Sequence, residues 1–487
     1  MLRNFYTSAG AVVCLLLVGC IPALKDQQIP REVDKSVPAD WGAPGDENNS
    51  AAADWHTFFT DPNVVALIDG ALQNNQELNI ALQETLLANA EVLARSGEYL
   101  PNLTFEVGGG VEKPGQFTPK GAVDENLEIE PGKNAPDPMR DAFFGFRTSW
   151  EIDIWKKLRN ATEAARLRYL ASIEGRNFVA TKLIAEIATS YYELMALDNQ
   201  LEVLKQNLEL QLNGLKVVRL EKIAARVTEL AVKRFEAEVL KNQSMQFEIH
   251  QQIIVTENRL NFLVGRFPQH VERSSLGFDA LAPTVVNGGV PTQMLENRPD
   301  VRRAELELKA SKLDVKVARA LFYPRLSIDA GIGYDAYTIS RLVTTPESLA
   351  YNLTANLIQP LLNRRAIKAQ YFTANAKQMQ AVLDYERTVL SAYAETANQL
   401  AMINNLGQSF SLRSQQVEKL VESIDISNTL FKSARADYLE VLTTRRDALE
   451  SQMELIETKK NQLTAVVNVY QALGGGWRNA PTGSEKN

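Results

Sequence analysis

The stretch LENRPDVRRAELELKASKLDVKVARALFYPRLSIDAGIG, residues 295–333, repeats in outline one met earlier in the chain. The earlier copy begins LQNNQELNIALQ at Leu72 and reaches YLPNLTFEVGGG, ending at Gly110. At a constant offset of 223 residues Leu72 matches Leu295, Asn74 matches Asn297, Ala81 matches Ala304, Pro101 matches Pro324 and Gly110 matches Gly333. Each copy then continues into a loop, a second alternating segment and two very long segments without proline. A duplication on this scale sets the architecture before any motif is read.

The alternating segments predict four strands, at residues 101–112, 143–154, 324–335 and 348–358. In the first, Leu103, Phe105, Val107 and Val111 share one face, while Thr104, Glu106, Gly108, Gly110 and Glu112 share the other. Phe144, Phe146, Trp150 and Ile152 alternate in the same way with Gly145, Arg147, Ser149 and Glu151. Period two over about ten residues, with charge on the polar face, fits a barrel strand with lipid outside and water inside. A soluble half-buried sheet reads the same way. The long segments predict helices with a coiled-coil-like seam through Val382, Tyr385, Val389, Tyr393, Thr396, Leu400 and Ile403. Residues 157–212 as one helix would run roughly 84 Å, longer than any single globular core. Four strands cannot close a barrel, and open edges are not tolerated in lipid, so a membrane reading requires strands from several subunits.

The chain opens with Arg3, an apolar run over residues 9–18 and Gly19 before Cys20, the order of a secretory signal. That run is too short to span a bilayer. Leu17, Val18, Gly19 and Cys20 resemble a bacterial lipobox, which predicts lipidation of Cys20 through its sulfur. Ile21 follows, not the Asp that retains such proteins in the inner membrane. The chain has two cysteines, Cys14 and Cys20, so cleavage would leave one and no intrachain disulfide. Net charge is −7 with both signs interspersed, which gives no footprint for nucleic acid.

On residues 295–333, on DPNVVALIDGALQNNQELNIAL from Asp61, and on the lipobox, the chain resembles the TolC-type outer-membrane efflux proteins, lipoprotein branch. The resemblance covers essentially the whole chain. It implies an α+β membrane protein in the outer membrane of a Gram-negative bacterium, lipid-anchored and extending into the periplasm. Each subunit of a homotrimer would give four transmembrane β-strands to a twelve-stranded barrel, and its long helices to a periplasmic α-barrel. The function implied is a passive exit duct loaded by a periplasmic adaptor (membrane fusion) protein and an inner-membrane RND-type pump. Outer-membrane lipid is the remaining partner, and no cofactor is implied. The domains expected are a signal peptide at 1–19, an N-terminal belt segment at 20–60, a first repeat at 61–265, a linker at 266–294, a second repeat at 295–474 and a tail at 475–487. The alternative is an exported coiled-coil lipoprotein scaffold without channel activity.

In this family the periplasmic entrance closes where helices turn, near a glycine followed six positions on by an acidic residue. Matching places Ala434 and Glu440 there in the second copy, and Ile223 and Glu229 in the first. Neither copy has the glycine. Two such glutamates per subunit would ring a narrow mouth with carboxylates and favour cations. The bland alternative is that both are solvated helix residues, paired with Arg226 or Arg445. Enzyme chemistry finds no support. His56, His250 and His270 lack metal-ligand spacing, and no nucleophile elbow, phosphate loop or zinc-protease string occurs. Glycines 474–476 end the last long helix, where a glycine cap suffices.

Overall fold

A computed structural model describes residues 21–23, 36–38, 40–41, 50, 53–134, 136–274, 278, 281, 283–284, 287–433 and 435–478. Cys20 and Ala434 lie outside them, as does most of the 20–60 segment and the end of the tail.

The element order repeats. The first half runs through helices Pro62–Asn74 and Gln76–Glu98, strand β1 (Asn102–Glu112), short strands β2 (Glu128–Glu130) and β3 (Lys133–Asn134), strand β4 (Met139–Ile152), and helices Lys157–Ile223 and Glu229–Val264. The second runs through helices Pro291–Asn297 and Pro299–Ala320, strands β5 (Arg325–Ala336) and β6 (Leu349–Ile358), and helices Arg365–Lys432 and Tyr438–Ala472. The paired long helices have 67 and 36 residues in the first half and 68 and 35 in the second. β4 starts at Met139, earlier than the alternation at 143 suggests, because the ladder with β1 extends to Met139 opposite Glu112. The polar segment between β1 and β4 holds a helix, Pro119–Glu125, capped by the Thr118 hydroxyl on Gly121 N, and the β2–β3 ladder. Its proline- and acid-rich composition suggests an unstructured loop, and local capping overrides that.

The chain divides into two compact units. One comprises residues 1–30, 87–169 and 306–382, and contains the strands. The four long strands form one antiparallel sheet in the order β1-β4-β5-β6. Beside it, Ala318, Phe322 and Tyr371 form a small core against which Ile21, Val315 and Ile367 pack.

The other unit holds the larger core. Trp55, Phe58, Leu194, Leu204, Leu260 and Tyr470 are among its buried members. The Phe58 and Tyr470 rings stack at 4.1 Å, and each such side chain removed from water contributes about 1.5–3 kcal/mol. Tyr191, fully buried, donates to Asp61 Oδ2 at 2.8 Å and accepts from Ser274 N at 2.9 Å, so burial carries no unpaired hydroxyl. Burial first, then the Asp61 carboxylate, pushes the Tyr191 hydroxyl far above its ordinary range. The predicted seam packs as expected over part of its length: Tyr385, Val389 and Tyr393 close over Met294, Val301 and Ala392.

Both repeats close in the same way. Asn75 Nδ2 donates to Leu263 O at 2.8 Å, and Arg298 Nη1 to Ala472 O at 2.8 Å. These are matched positions after the first short helix of each copy, and each reaches a carbonyl left unpaired at the end of that copy's last helix. Gly265 and Gly474 follow those ends with φ of 79° and 84°, the left-handed region. A Cβ on either would stand 2.5 Å from Asn74 O or 2.6 Å from Asn297 O. Glycine is required twice, by conformation and by contact.

Candidate functional site

The sheet has two chemically distinct faces. In register, Phe105, Phe146, Ile332 and Tyr351 form one row across it, and Val107, Phe144, Tyr334 and Leu349 another. Six of these eight side chains are exposed in the single chain, with Val107 at 72% and Tyr351 at 80%, while Phe144 and Tyr334 are half-buried. The Phe105 and Phe146 rings lie 5.2 Å apart, and Phe144 stacks on Tyr334 at 5.4 Å. An open apolar face of this extent is unstable in water.

On the opposite face Arg147 Nε pairs with Glu106 at 3.1 Å. Asp329 accepts from the Ser149 hydroxyl at 2.7 Å and from Asn356 Nδ2 at 3.0 Å. Gly145 and Gly333 stand opposite one another, and a Cβ on Gly145 would meet the Gly333 Cα at 2.6 Å. Phe143 is an apolar residue on this face. It lies over Gly108, where a Cβ would come within 2.4 Å of its ring. Only β1 and β6 are unpaired on one side, so the sheet has two free edges among the described residues.

The helix turns lie in the other unit. Helix Lys157–Ile223 ends through Arg226 N donating to Glu221 O at 2.9 Å, with Ala225 at φ 57°. Helix Arg365–Lys432 ends through the corresponding bond, Arg435 N to Leu430 O, also 2.9 Å. The next helices start at N-cap positions held by Thr228 and Asp437, and of the two only the Asp437 side chain caps, accepting from Leu439 N. Aligned on these bonds and caps, Glu229 corresponds to Tyr438, and Glu440 to the buried Ala231. The motif-based pairing of Glu229 with Glu440 is therefore two residues out of register, and the left-handed position of the first turn is Ala225 rather than Ile223.

The two glutamates also differ in surroundings. Glu229 pairs with Lys222, and with Lys233 at 3.7 Å. The Lys222 hydrogen bond, then its charge, holds the carboxyl of Glu229 below the usual range. Glu440 is exposed and its carboxylate has no ion pair among the described residues. Arg226 and Arg445 are not their partners. Arg445 instead donates to Leu210 O at 3.0 Å and Asn428 Oδ1 at 3.1 Å, joining the two helix pairs. That link could not be read from sequence, because its acceptors are a backbone carbonyl and an amide remote in the chain.

His56 pairs with Asp54 and Asp69, and His270 with Glu257. No helix among the described residues is long and apolar enough to cross a membrane.

The sequence matches the outer membrane efflux protein family over residues 67–266 and 290–475. It is 28% identical over 469 residues to the pyoverdine export outer membrane protein OpmQ of Pseudomonas aeruginosa, covering 96% of each chain. It is 26% identical over 470 residues to the cation efflux system protein CusC of Escherichia coli, covering 96% of this chain and 98% of that one. In fold it is similar to the outer-membrane channel OprN, with a TM-score of 0.82 and 22% identity over 93% of this chain and 99% of that one. The match falls on both repeats, the same two copies in which a two-faced sheet and paired long helices recur. The chain thus belongs to the outer membrane efflux protein family, whose members are outer-membrane channels and not enzymes.

Proposed function

We propose that three copies of this chain join their sheets into one barrel and conduct solutes passively out of the periplasm. The observation that carries this reading is the four-stranded sheet with an exposed apolar face, a hydrogen-bonded polar face and two free edges. Edge pairing of β1 in one copy with β6 in the next satisfies every backbone group, as a bilayer requires. A periplasmic adaptor and an inner-membrane RND-type pump load the duct and supply the energy. Cys20 is acylated and anchors the N-terminal segment, which with the 266–294 linker and the tail forms a belt on the helices. The names of OpmQ and CusC point to pyoverdine and to cations respectively, so cargo is set by the pump rather than by this fold.

Glu440 and Glu229 ring the periplasmic entrance. Glu440 carries the effective charge, because Lys222 and Lys233 neutralise Glu229. The test is electrophoretic mobility of unheated outer-membrane extracts together with single-channel recording in planar bilayers. Heat-resistant trimers with discrete conductance steps are expected. Monomers without conductance would refute the duct.

A further inference from the structure

Each repeat turns from strand to long helix through the same short device. In the first, Ile154 and Trp155 are exposed, Lys156 is left-handed at φ 57°, and helix Lys157–Ile223 begins. In the second, Leu361 and Leu362 are exposed at 60% and 88%, Asn363 is left-handed at φ 49°, and Arg364 precedes helix Arg365–Lys432. The charges around the two devices differ. Lys157 pairs with Glu151, and Arg159 with Asp153 at 3.2 Å. In the second junction Arg364, Arg365 and Lys368 have no ion pair among the described residues, and no Asp or Glu occurs between Glu347 and Asp384. Arg325, opposite Ile358 in the β5–β6 register, falls on the polar face with Ser327 and Asp329 and is not part of this cluster.

Arg364 is not simply solvated. Its guanidinium carbon lies 5.8 Å from the centre of the Phe322 ring, and its Nη1 is buried without a hydrogen-bond partner among the described residues. Phe322 belongs to the small core on which Ile21 packs. Ile21 directly follows Cys20. The acyl chain that the proposed function puts on Cys20 is thus attached one residue before a side chain of this core. Leu361 and Leu362 follow β6 by three and four residues, and β6 carries Tyr351, Leu353 and Leu357 at the surface.

We propose that this junction is a docking surface for an anionic phospholipid of the leaflet on the helix side. Leu361 and Leu362 lie among the acyl chains, and Arg364, Arg365 and Lys368 hold the headgroup phosphate. The contact with the Phe322 ring holds the Arg364 guanidinium at this surface, where its planar fork suits two phosphate oxygens. The surplus positive charge favours a net negative headgroup over a zwitterionic one.

The proposal rests on the outer-membrane setting and adds a ligand to it. The test uses the full-length channel in vesicles of equal parts phosphatidylglycerol and phosphatidylethanolamine, with native mass spectrometry of the lipid it retains on release. Wild type should retain phosphatidylglycerol preferentially. The triple variant Arg364→Gln, Arg365→Gln, Lys368→Gln should retain on the order of tenfold less. Lys419→Gln, far along helix Arg365–Lys432 and paired with Glu422 at 3.0 Å, should change nothing. The double variant Arg365→Gln, Lys368→Gln leaves the Arg364–Phe322 contact in place and should show an intermediate loss, guarding against misfolding as the cause. An unchanged lipid ratio in both variants overturns the proposal. So does displacement of phosphatidylglycerol by inorganic phosphate, which would make the patch a site for free anions. Bilayer conductance of the same preparations reports the channel reading separately.

Discussion

At the two helix turns the chain closes with the same bond, Arg226 N to Glu221 O and Arg435 N to Leu430 O, both at 2.9 Å. The residues just beyond the two turns differ in how their acidic charge is compensated. Thr228 makes no side-chain cap, and Glu229 is tied down by Lys222 and Lys233. Asp437 does cap its helix, through Leu439 N, and Glu440 is left exposed. Duplication preserved the backbone, which is set by hydrogen bonds and packing, and released the charges, which at an exposed turn cost little either way. The same division separates the two strand-to-helix junctions. Shared geometry carries the fold, and the unshared charge marks where one copy meets something the other does not.

The largest effects should come where the copies are most alike. Replacing Gly265 or Gly474 with Ala forces a side chain into the left-handed region and onto a carbonyl. Each change should cost about 2–4 kcal/mol, read as a lowered unfolding temperature in detergent. Equal losses confirm that the repeats close equivalently, whereas a loss at only one would break the equivalence. Next comes the difference between the glutamates. Glu440→Gln should lower cation preference on the order of twofold by removing unpaired charge at the mouth. Glu229→Gln should change it less, because its charge is already compensated. Reversal potentials under a salt gradient decide, and equal responses of the two variants would abolish the distinction.

Ala225→Gly is smaller and opposite in sign. It removes a left-handed alanine at φ 57° and should stabilise by about 0.5–1 kcal/mol, after the added entropy of glycine in the unfolded chain. A thermal scan showing no gain would mean the turn holds Ala225 without strain. The smallest effect is acid sensitivity. Because the Lys222 pairing lowers the Glu229 pKa below its ordinary 4.5, the stabilisation it gives is complete above that value. It is lost as pH falls through the depressed one. Amide exchange, corrected for its intrinsic pH dependence, should accelerate around residues 221–233 on acidification. Equal acceleration at the second turn would show that the pair is irrelevant.

Much of this was legible beforehand for physical reasons. Strand faces follow from alternation, so Phe105, Phe146, Ile332 and Tyr351 fall in one row as the pattern predicts. Proline-free runs with terminal glycine announced the long helices and the cap at Gly474. The turn register was not legible. A left-handed position is usually written as glycine, and Ala225 carries no such signal. The order within the β1–β4 connection was hidden too, because proline and acid content report solubility rather than capping. Contacts such as Arg445 to Leu210 O depend on tertiary placement and leave no local trace.

The closure of each repeat bears on how such a chain could arise. Asn74 meets Gly265, and Asn297 meets Gly474, so the first and last helices of each copy end at one knot. The stretches from Asn75 to Gly265 and from Arg298 to Gly474 thus have ends that already adjoin, and such a stretch can be copied in tandem by its gene without rebuilding either copy to accept the other.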